Sequence, residues 1–182
     1  MIYFTSDLHL GHSKIIEYCG RPFKSVEEMD KVLIENWNRI VSPKDTIYCL
    51  GDFAFSKNYE KVQGYVKQLH GKKYFSFGNH DDRDWIVRLK KESLIWGCED
   101  SFIVKDNGVI IYGSHYPHRS WPKSFHGSYH VYGHVHGTIN DYGRSTDIGV
   151  DCWEYSPVSL KTVIERLSKT ASPKERNDLS PE

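Results

Sequence analysis

The stretch IYFTSDLH, residues 2–9, decides the fold, because a run of β-prone residues ends there directly in polar ones. A buried strand that stops at Asp7 delivers the following side chains to the edge of a sheet. Asp7 and His9 are two positions apart, so on an extended segment their side chains can converge on one ion. In isolation, the same spacing would fit a loop-capping aspartate and a surface histidine better.

β-prone runs that end in polar residues recur further along the chain, and there a glycine precedes the polar residue. The run TIYCL, residues 46–50, leads into the dipeptide GD at 51–52, and KYFSF, residues 73–77, leads into GNHD at 78–81. A glycine allows a sharp exit from a strand. Residues 78–81 are the more informative of the two motifs, because an ordinary turn needs no imidazole or carboxylate.

Helices are predicted between these strands. Ser25 and Glu28 form a capping box, and apolar residues then recur at helical spacing over residues 26–41. Residues 58–69 have a second apolar stripe, which Gly71 would end. The first half of the chain therefore alternates strand and helix.

The second half has the alternation typical of strands. SFIVKD and VIIYGS flank Asn107-Gly108, the dipeptide preferred in type I′ hairpins. Residues 130–133 and 146–150 are predicted as further strands, and 159–168 as a short helix after a proline. Together these patterns predict a layered α/β protein with one mixed sheet or two packed sheets.

The composition bounds the class of protein. A chain of 182 residues fits one domain, which we place at residues 1–168, and the Ser-, Pro-, Lys- and Glu-rich residues 169–182 are predicted to form a disordered tail. Lys plus Arg and Asp plus Glu both number 24, so a long nucleic acid is a disfavoured partner. The four cysteines are scattered, no export signal is recognised and no apolar run could span a membrane. These features predict a cytoplasmic protein without a membrane segment.

Histidines complete the series of motifs. His134 and His136 follow Gly133 at the same two-residue spacing, and His115 follows a predicted strand, with His118 as its neighbouring alternative. Two solvent-facing histidines would explain the 134–136 pair equally well in isolation. The ordered set of five segments from residue 7 to residue 136 is very improbable by chance.

As a set, these motifs resemble the calcineurin-like metallophosphoesterase family, of which this chain would be a small single-domain member. The resemblance implies a two-sheet β-sandwich flanked by helices, in four layers (αββα), with a dinuclear metal site at the carboxyl-terminal edge of the strands. By motif, the first metal would be bound by Asp7, His9 and His136. The second would be bound by Asn79, His115 and His134. Asp52 would bridge the two metals.

This ligand set suits borderline divalent ions, with Mn as the first choice and Fe, Zn, Ni or Co as alternatives. Two ions roughly 3.5–4 Å apart can share a water, lower its pKa and clamp phosphoryl oxygens during in-line attack. The nucleophile would then be the hydroxide that bridges the metals.

Further roles are assigned around this site. The resemblance implies that His80 stabilises the developing charge or protonates the leaving oxygen, with Asp81 orienting its imidazole. Four residues are candidates for binding substrate, although ordinary surface positions would explain the two arginines better. They are His12, Arg83, His118 and Arg119.

The residues directly after the second motif narrow the substrate class. The protein serine/threonine phosphatases of this family have Asp-Arg-Gly soon after the bridging aspartate, whereas residues 53–56 here are FAFS. We therefore expect a phosphodiesterase or phosphatase acting on a small or nucleotide-like phosphoester. A base could stack on aromatic residues near the motifs. These aromatic residues are Phe53, Phe55, Trp85, Tyr116 and Trp121. Most of them should lie in the core. The alternatives are a non-catalytic scaffold that binds proteins, and a nuclease.

Overall fold

The computed structural model describes residues 1–168, so the predicted tail at 169–182 lies outside the described residues. The strands are β1 (Ile2–Thr5), β2 (Thr46–Cys49), β3 (Lys72–Ser76), β4 (Gly97–Glu99), β5 (Ser101–Asp106), β6 (Val109–Ser114), β7 (Tyr129–Tyr132), β8 (Ser145–Asp147) and β9 (Val158–Ser159). The α-helices are α1 (Ser13–Tyr18), α2 (Val26–Ile40), α3 (Tyr59–Gln68), α4 (Arg83–Lys91) and α5 (Leu160–Leu167).

The first sheet has the strand order β4-β3-β2-β1-β9. Strands β1 to β4 are parallel, and β9 pairs with β1 in the antiparallel direction. Parallel strands need crossover connections, and α2, α3 and α4 supply them. The carboxyl ends of β1, β2 and β3 therefore meet at one edge of this sheet.

One core lies between the first sheet and its helices. Leu33 and Trp37 of α2 pack in the same cluster as Ile47 of β2 and Phe75 of β3. Helix α2 begins as its capping box predicts, since the Ser25 hydroxyl accepts the backbone N–H of Glu28 at 3.2 Å. The amphipathic pattern of α2 thus fixes which face covers the sheet.

The second sheet has the order β5-β6-β7-β8 and packs on the first through another core. Phe4 of β1 meets Ile111 of β6 and Val131 of β7 there, and α5 adds Val163. The hairpin is confirmed, because β5 and β6 pair across Asn107-Gly108. Both turn residues have positive φ, as a type I′ turn requires. Strands β6, β7 and β8 are parallel, so their carboxyl ends also share one edge.

The predicted fold class, two sheets flanked by helices, is confirmed. The two sheets are covered differently on their outer faces. Helices α2, α3 and α4 cover the first sheet, while Trp121 from the 117–128 segment stacks on the outward His130 of the second at 5.2 Å between ring centroids. Among the described residues, no helix combines the length and apolar character needed to cross a membrane.

Two sequence boundaries need correction. The strand predicted at 146–150 ends at Asp147, because the carboxylate of Asp147 accepts the backbone N–H of Gly149 at 2.7 Å and a 3₁₀ turn follows at Val150–Cys152. The helix predicted at 159–168 begins at Leu160, since Ser159 pairs with β1 and caps the helix. Helices α1 and α4 and strands β4 and β9 were not predicted.

Candidate metal centre

All seven predicted metal ligands lie just beyond the carboxyl ends of five strands. Asp7 and His9 follow β1, Asp52 follows β2, and Asn79 follows β3. The second sheet supplies the other three, which are His115, His134 and His136. The sandwich therefore brings residues up to 129 positions apart in sequence to one edge.

The backbone is strained at this edge. Positive φ angles are costly for residues with a Cβ and persist only where the surroundings impose them. Five of the seven predicted ligands adopt them: Asp7 at 57°, His9 at 52°, Asp52 at 51°, His134 at 71° and His136 at 48°. This concentration is a mark of a functional site rather than of ordinary turns.

The donor atoms fall into two groups. In the first donor group (Asp7, His9 and His136), one donor atom from each residue lies within 4.8 Å of the others. The second donor group is Asp52, His115 and His134, which meet the same criterion. Asn79 adjoins the second donor group, with its Oδ1 at 3.0 Å from Nε2 of His115.

Asp52 lies between the two donor groups. Its Oδ2 is 3.5 Å from Nε2 of His9 and 3.6 Å from Nε2 of His115. Its other carboxylate oxygen, Oδ1, accepts the backbone N–H of His80 at 2.9 Å, which fixes the orientation of the carboxylate. One oxygen of Asp52 is therefore placed to face both groups, as the predicted bridging role requires.

The donors fit divalent metal ions. His9 is 1% exposed, yet neither of its ring nitrogens has a hydrogen-bond partner, which is costly unless a ligand completes the site. Burial, with the charges of His136 and Arg21, lowers the pKa of His9 to about 2, so its imidazole is neutral and free to ligate.

The carboxylates of the centre also indicate that it is suited to a positively charged ligand. Burial raises the pKa of Asp7 well above its usual value, and the carboxylates of Asp147 and Asp52 raise it further. A bound cation would offset this repulsion and the cost of burial. The donor set could therefore hold cations, which would balance its buried carboxylates.

Glycines let the strand-end loops approach these donors closely. A Cβ on Gly78 would overlap with Oδ1 and the backbone nitrogen of Asp52, and a Cβ on Gly133 would overlap with the side chains of Ser6 and Asp7. Both positions therefore require glycine because of space. The glycines that precede the motifs are part of the construction of the site.

Asp81 has a different position from the one predicted. Its two carboxylate oxygens accept the backbone N–H groups of Asp52, Phe53 and Gly78 at 2.8, 3.0 and 2.9 Å. The structure thus shows these oxygens on the main chain, whereas the prediction had assigned them to the imidazole of His80. Asp81 instead holds the loop that carries Asp52. Burial raises the pKa of Asp81 to about 6.

His80 lies at the exposed rim of the first donor group. Its ring centroid is 5.3 Å from that of His9 and 6.1 Å from that of His12. His12 stacks on Phe55 at 4.3 Å, and Phe55 is 45% exposed. An imidazole and an aromatic surface thus flank one side of the donors.

A cleft of about 370 Å³ lies beside the second donor group, where Asn79 and His115 form part of its wall. Arg83 and His118 also line it. The guanidinium of Arg83 packs over Phe77 and forms an ion pair with Asp100 at 2.7 Å. Two of the four predicted substrate-binding residues therefore line the cleft whose wall includes Asn79 and His115.

His118 lies apart from the donor atoms. It packs against Tyr112 and His130, whereas His115 joins Asp52 and His134 in the second donor group. Of the two histidines considered for this ligand position, His115 is the one that the fold brings to the centre. Arg119 lines a separate cleft with Tyr142.

The candidate stacking aromatics differ in exposure. Phe53 and Trp121 belong to the interior, at 1% and 6% exposed, and Trp85 packs against Tyr59. Phe55 and Tyr116 are exposed, and Tyr116 contacts the ring of His134. A base could therefore reach Phe55, which contacts His12, or Tyr116, which contacts His134.

Arg21 and Asp151 were missed by sequence reasoning. The Arg21 guanidinium donates to both carboxylate oxygens of Asp151 at 2.8 Å, and Oδ2 of Asp151 lies 2.7 Å from Nδ1 of His136. Burial alone would lower the pKa of His136 and raise the pKa of Asp151. The contact with Asp151 nevertheless raises the pKa of His136, and the pKa of Asp151 is lowered by His136 and Arg21. Neither residue stands in a motif that could have identified it.

Comparison with known proteins finds relatives over most of the chain. Residues 1–138 match the family model described as calcineurin-like phosphoesterase. The chain is 36% identical to an uncharacterised protein of Methanocaldococcus jannaschii, over 98% of this chain and 97% of that one. It is 27% identical to the gene 66 protein of Mycobacterium phage L5, over 83% of this chain and 86% of the phage protein. A solved structure of a protein of unknown function from Aquifex aeolicus is similar with a TM-score of 0.71 and 26% identity, covering 91% of this chain and 98% of that one.

Proposed function

Because the chain belongs to the calcineurin-like phosphoesterase family, we propose that it hydrolyses a small or nucleotide-like phosphoester with two divalent metal ions bound. The observation that carries this proposal is the position of Asp52, whose Oδ2 faces imidazoles of both donor groups. Manganese is the proposed metal, with iron, zinc, nickel or cobalt as substitutes. All four cysteines are free thiols, which supports a reducing compartment such as the cytoplasm.

The donor groups divide the metal ligands between them. Asp7, His9 and His136 would hold one ion, and His115 and His134 with Asn79 would hold the other. Asp52 would be shared. Two divalent ions at such a centre supply positive charge for the phosphoryl oxygens and activate water as the nucleophile.

His80 is the proposed proton donor to the leaving oxygen. It is exposed beside the first donor group, and the backbone N–H of the same residue donates to Asp52. An imidazole held at the rim can reach a substrate atom without displacing a buried ligand. Protonation of the leaving group is the role that this position supports.

The substrate would extend from the donors to one or both flanks. The flank with Phe55 and His12 offers an aromatic surface, and the cleft beside Asn79 and His115 offers Tyr116 and polar groups. A base could stack on either exposed ring. The cleft volume of about 370 Å³ suits a small ester better than a folded protein substrate.

The test uses purified protein that is stripped of metal and reloaded with Mn²⁺. We expect metal-dependent turnover of bis-p-nitrophenyl phosphate, of p-nitrophenyl phosphate, or of both. Asp52→Asn should abolish this turnover, because it removes a charge shared by the two donor groups. If neither compound is turned over with any of the five metals, the proposal of an enzyme fails and a protein-binding scaffold is favoured.

The natural substrate is then sought with a panel of cyclic nucleotides, dinucleotides, phosphomonoesters and single-stranded oligonucleotides. We expect small nucleotide esters to be cleaved with a higher kcat/KM than the oligonucleotides, since the net charge of the chain is zero. A strong preference for oligonucleotides would identify a nuclease instead.

A further inference from the structure

The interior next to the first donor group contains a charged pair that no motif explains. Arg21 and Asp151 are 130 residues apart in sequence, and their side chains are 0% and 9% exposed. Arg21 comes from the turn after α1, and Asp151 comes from the 3₁₀ turn after β8. Removing two charges from water is costly, so a pair at this depth calls for a specific reason.

Arg21 binds more than its ionic partner. Its guanidinium also donates to the backbone carbonyl of Asp7 at 2.8 Å and to that of Leu8 at 3.0 Å. One side chain therefore holds the main chain of the loop after β1, which carries Asp7 and His9 of the first donor group. Because Asp7 and His9 have left-handed backbone conformations, this loop needs such support.

Asp151 connects the same guanidinium to an imidazole of the first donor group. Its Oδ2 accepts a hydrogen bond from Nη2 of Arg21 at 2.8 Å and lies 2.7 Å from Nδ1 of His136. A carboxylate accepts hydrogen bonds only, so Nδ1 of His136 must carry the proton of this contact. In the neutral imidazole, Nε2 of His136 then carries no proton and is available as a ligand.

The second donor group is supported differently. Nδ1 of His115 lies 2.9 Å from the backbone carbonyl of Leu50, a neutral acceptor with no ionic partner in that contact. Ligand imidazoles that donate to a carboxylate are more basic than those that donate to a carbonyl. The two donor groups therefore have unequal support, and the ionic support belongs to the first.

We propose that Arg21 and Asp151 are positioning residues that set the metal affinity of the first donor group and not that of the second. The pair fixes the tautomer of His136 and the path of the loop that carries Asp7. This inference rests on the proposed function only in assuming that both groups bind metal.

One alternative is that Asp151 binds a metal itself. Cys19, His136 and Asp151 also place donor atoms within 4.8 Å of one another. Cys19→Ser distinguishes the two roles, because it would weaken a metal site that used the thiol but would leave a positioning role intact. Asp141→Asn is the matched control for losing an Arg–Asp pair, since Asp141 pairs with Arg166 at 2.8 Å and neither residue is among the metal donors.

The experiment titrates Zn²⁺ into the metal-free full-length protein and follows binding by calorimetry. For Asp151→Asn and for Arg21→Lys, we expect one of the two sites to weaken by about 10- to 100-fold and the other to keep its affinity. Cys19→Ser and Asp141→Asn should match the wild type. Equal weakening of both sites, or unchanged affinity in both variants, would overturn the inference.

Nuclear magnetic resonance of the histidine ring nitrogens in Zn²⁺-loaded wild type supplies a readout that does not depend on a variant folding. We expect a protonated Nδ1 and a metal-bound Nε2 for His136. A metal-bound Nδ1 would contradict the proposed role of Asp151. If the wild type bound no metal in the calorimeter, the proposed function would fail, whereas normal wild-type binding with unaffected variants would refute only this inference.

Discussion

The carboxylate of Asp81 accepts the backbone N–H of Asp52 at 2.8 Å. The same carboxylate also holds the N–H groups of Phe53 and Gly78, so it joins the loops after β2 and β3. Asp52 can face both donor groups only if its loop keeps this path. Asp81 therefore supports Asp52, the proposed bridging ligand, rather than His80, the proposed acid.

Asp81→Asn tests this relationship. An asparagine has one acceptor oxygen, and its amide group would face an N–H donor of the loop. We expect metal affinity to fall by about tenfold, as for other residues that support ligands, when Mn²⁺ binding is measured by calorimetry. Asp82→Asn is the matched control, since Asp82 caps α4 and asparagine caps helices equally well. Equal metal affinity in both variants would rule out the supporting role of Asp81.

His80→Ala tests the proposed acid. The backbone N–H that binds Asp52 is retained, so metal content should stay at the wild-type level. We expect kcat to fall by about 10²- to 10⁴-fold for an alkyl ester, and by less for a nitrophenyl ester, whose leaving group needs little protonation.

His12→Ala is the comparison for His80→Ala, because both rings lie on the same flank of the centre. As a predicted substrate-binding residue, His12 should affect KM more than kcat. Steady-state kinetics on both esters separates the two residues. An equal loss of kcat for both esters in His80→Ala would exclude protonation of the leaving group.

Much of the metal centre could be predicted from sequence because its ligands follow short β-prone runs. Asp7, Asp52 and Asn79 each come just after a parallel strand, and such strands end at a common edge. His134 and His136 follow β7 in the same way. Local pattern and sheet geometry therefore placed these side chains at strand ends, and the resemblance to the family implied that they share one metal centre.

The supporting residues could not be predicted on the same basis. Arg21 and Asp151 stand among 24 basic and 24 acidic residues, and only the folded chain brings them together. The fold prediction also missed two short strands. Because β9 has two residues and β4 has three, neither is long enough to show the alternation of apolar and polar residues that identifies a strand. Helix α4 did leave a signal, since Asp82 caps it and Ile86 and Leu89 are three apart on its buried face.

Gly78→Ala tests the close packing of the strand-end loops. The new Cβ would overlap with the carboxylate and backbone nitrogen of Asp52, so the loop must shift. We expect a loss of about 1–3 kcal/mol in the free energy of unfolding, together with weaker metal binding. Urea denaturation of the metal-free protein and calorimetry with Mn²⁺ measure the two effects.

Gly64→Ala is the control for Gly78→Ala. Gly64 lies inside α3, and a Cβ there would meet nothing within 4 Å. Alanine should therefore stabilise the protein by about 0.5–1 kcal/mol through its higher helix propensity, without changing metal affinity. If Gly78→Ala were as well tolerated as Gly64→Ala, the steric argument would be refuted.

His130 lies away from the metal centre and should make the stability of the protein depend on pH. It is fully buried between Ser114 and Ser145, and burial lowers its pKa to about 3. Because the unfolded chain binds a proton near pH 6.5 and the folded chain does not, stability falls as the pH drops from about 6.5 towards 3. The His130 contribution to this slope is at most about 1.4 kcal/mol per pH unit.

His130→Gln should flatten that slope, since glutamine does not titrate but can still form hydrogen bonds with the two serines. The free energy of unfolding of both proteins is measured in urea from pH 7 to pH 4.5, without metal. The variant should be the less stable of the two at pH 7, because its side chain packs less well against Trp121, and the difference should shrink as the pH falls. Parallel pH profiles for the two proteins would show that His130 is not the group responsible.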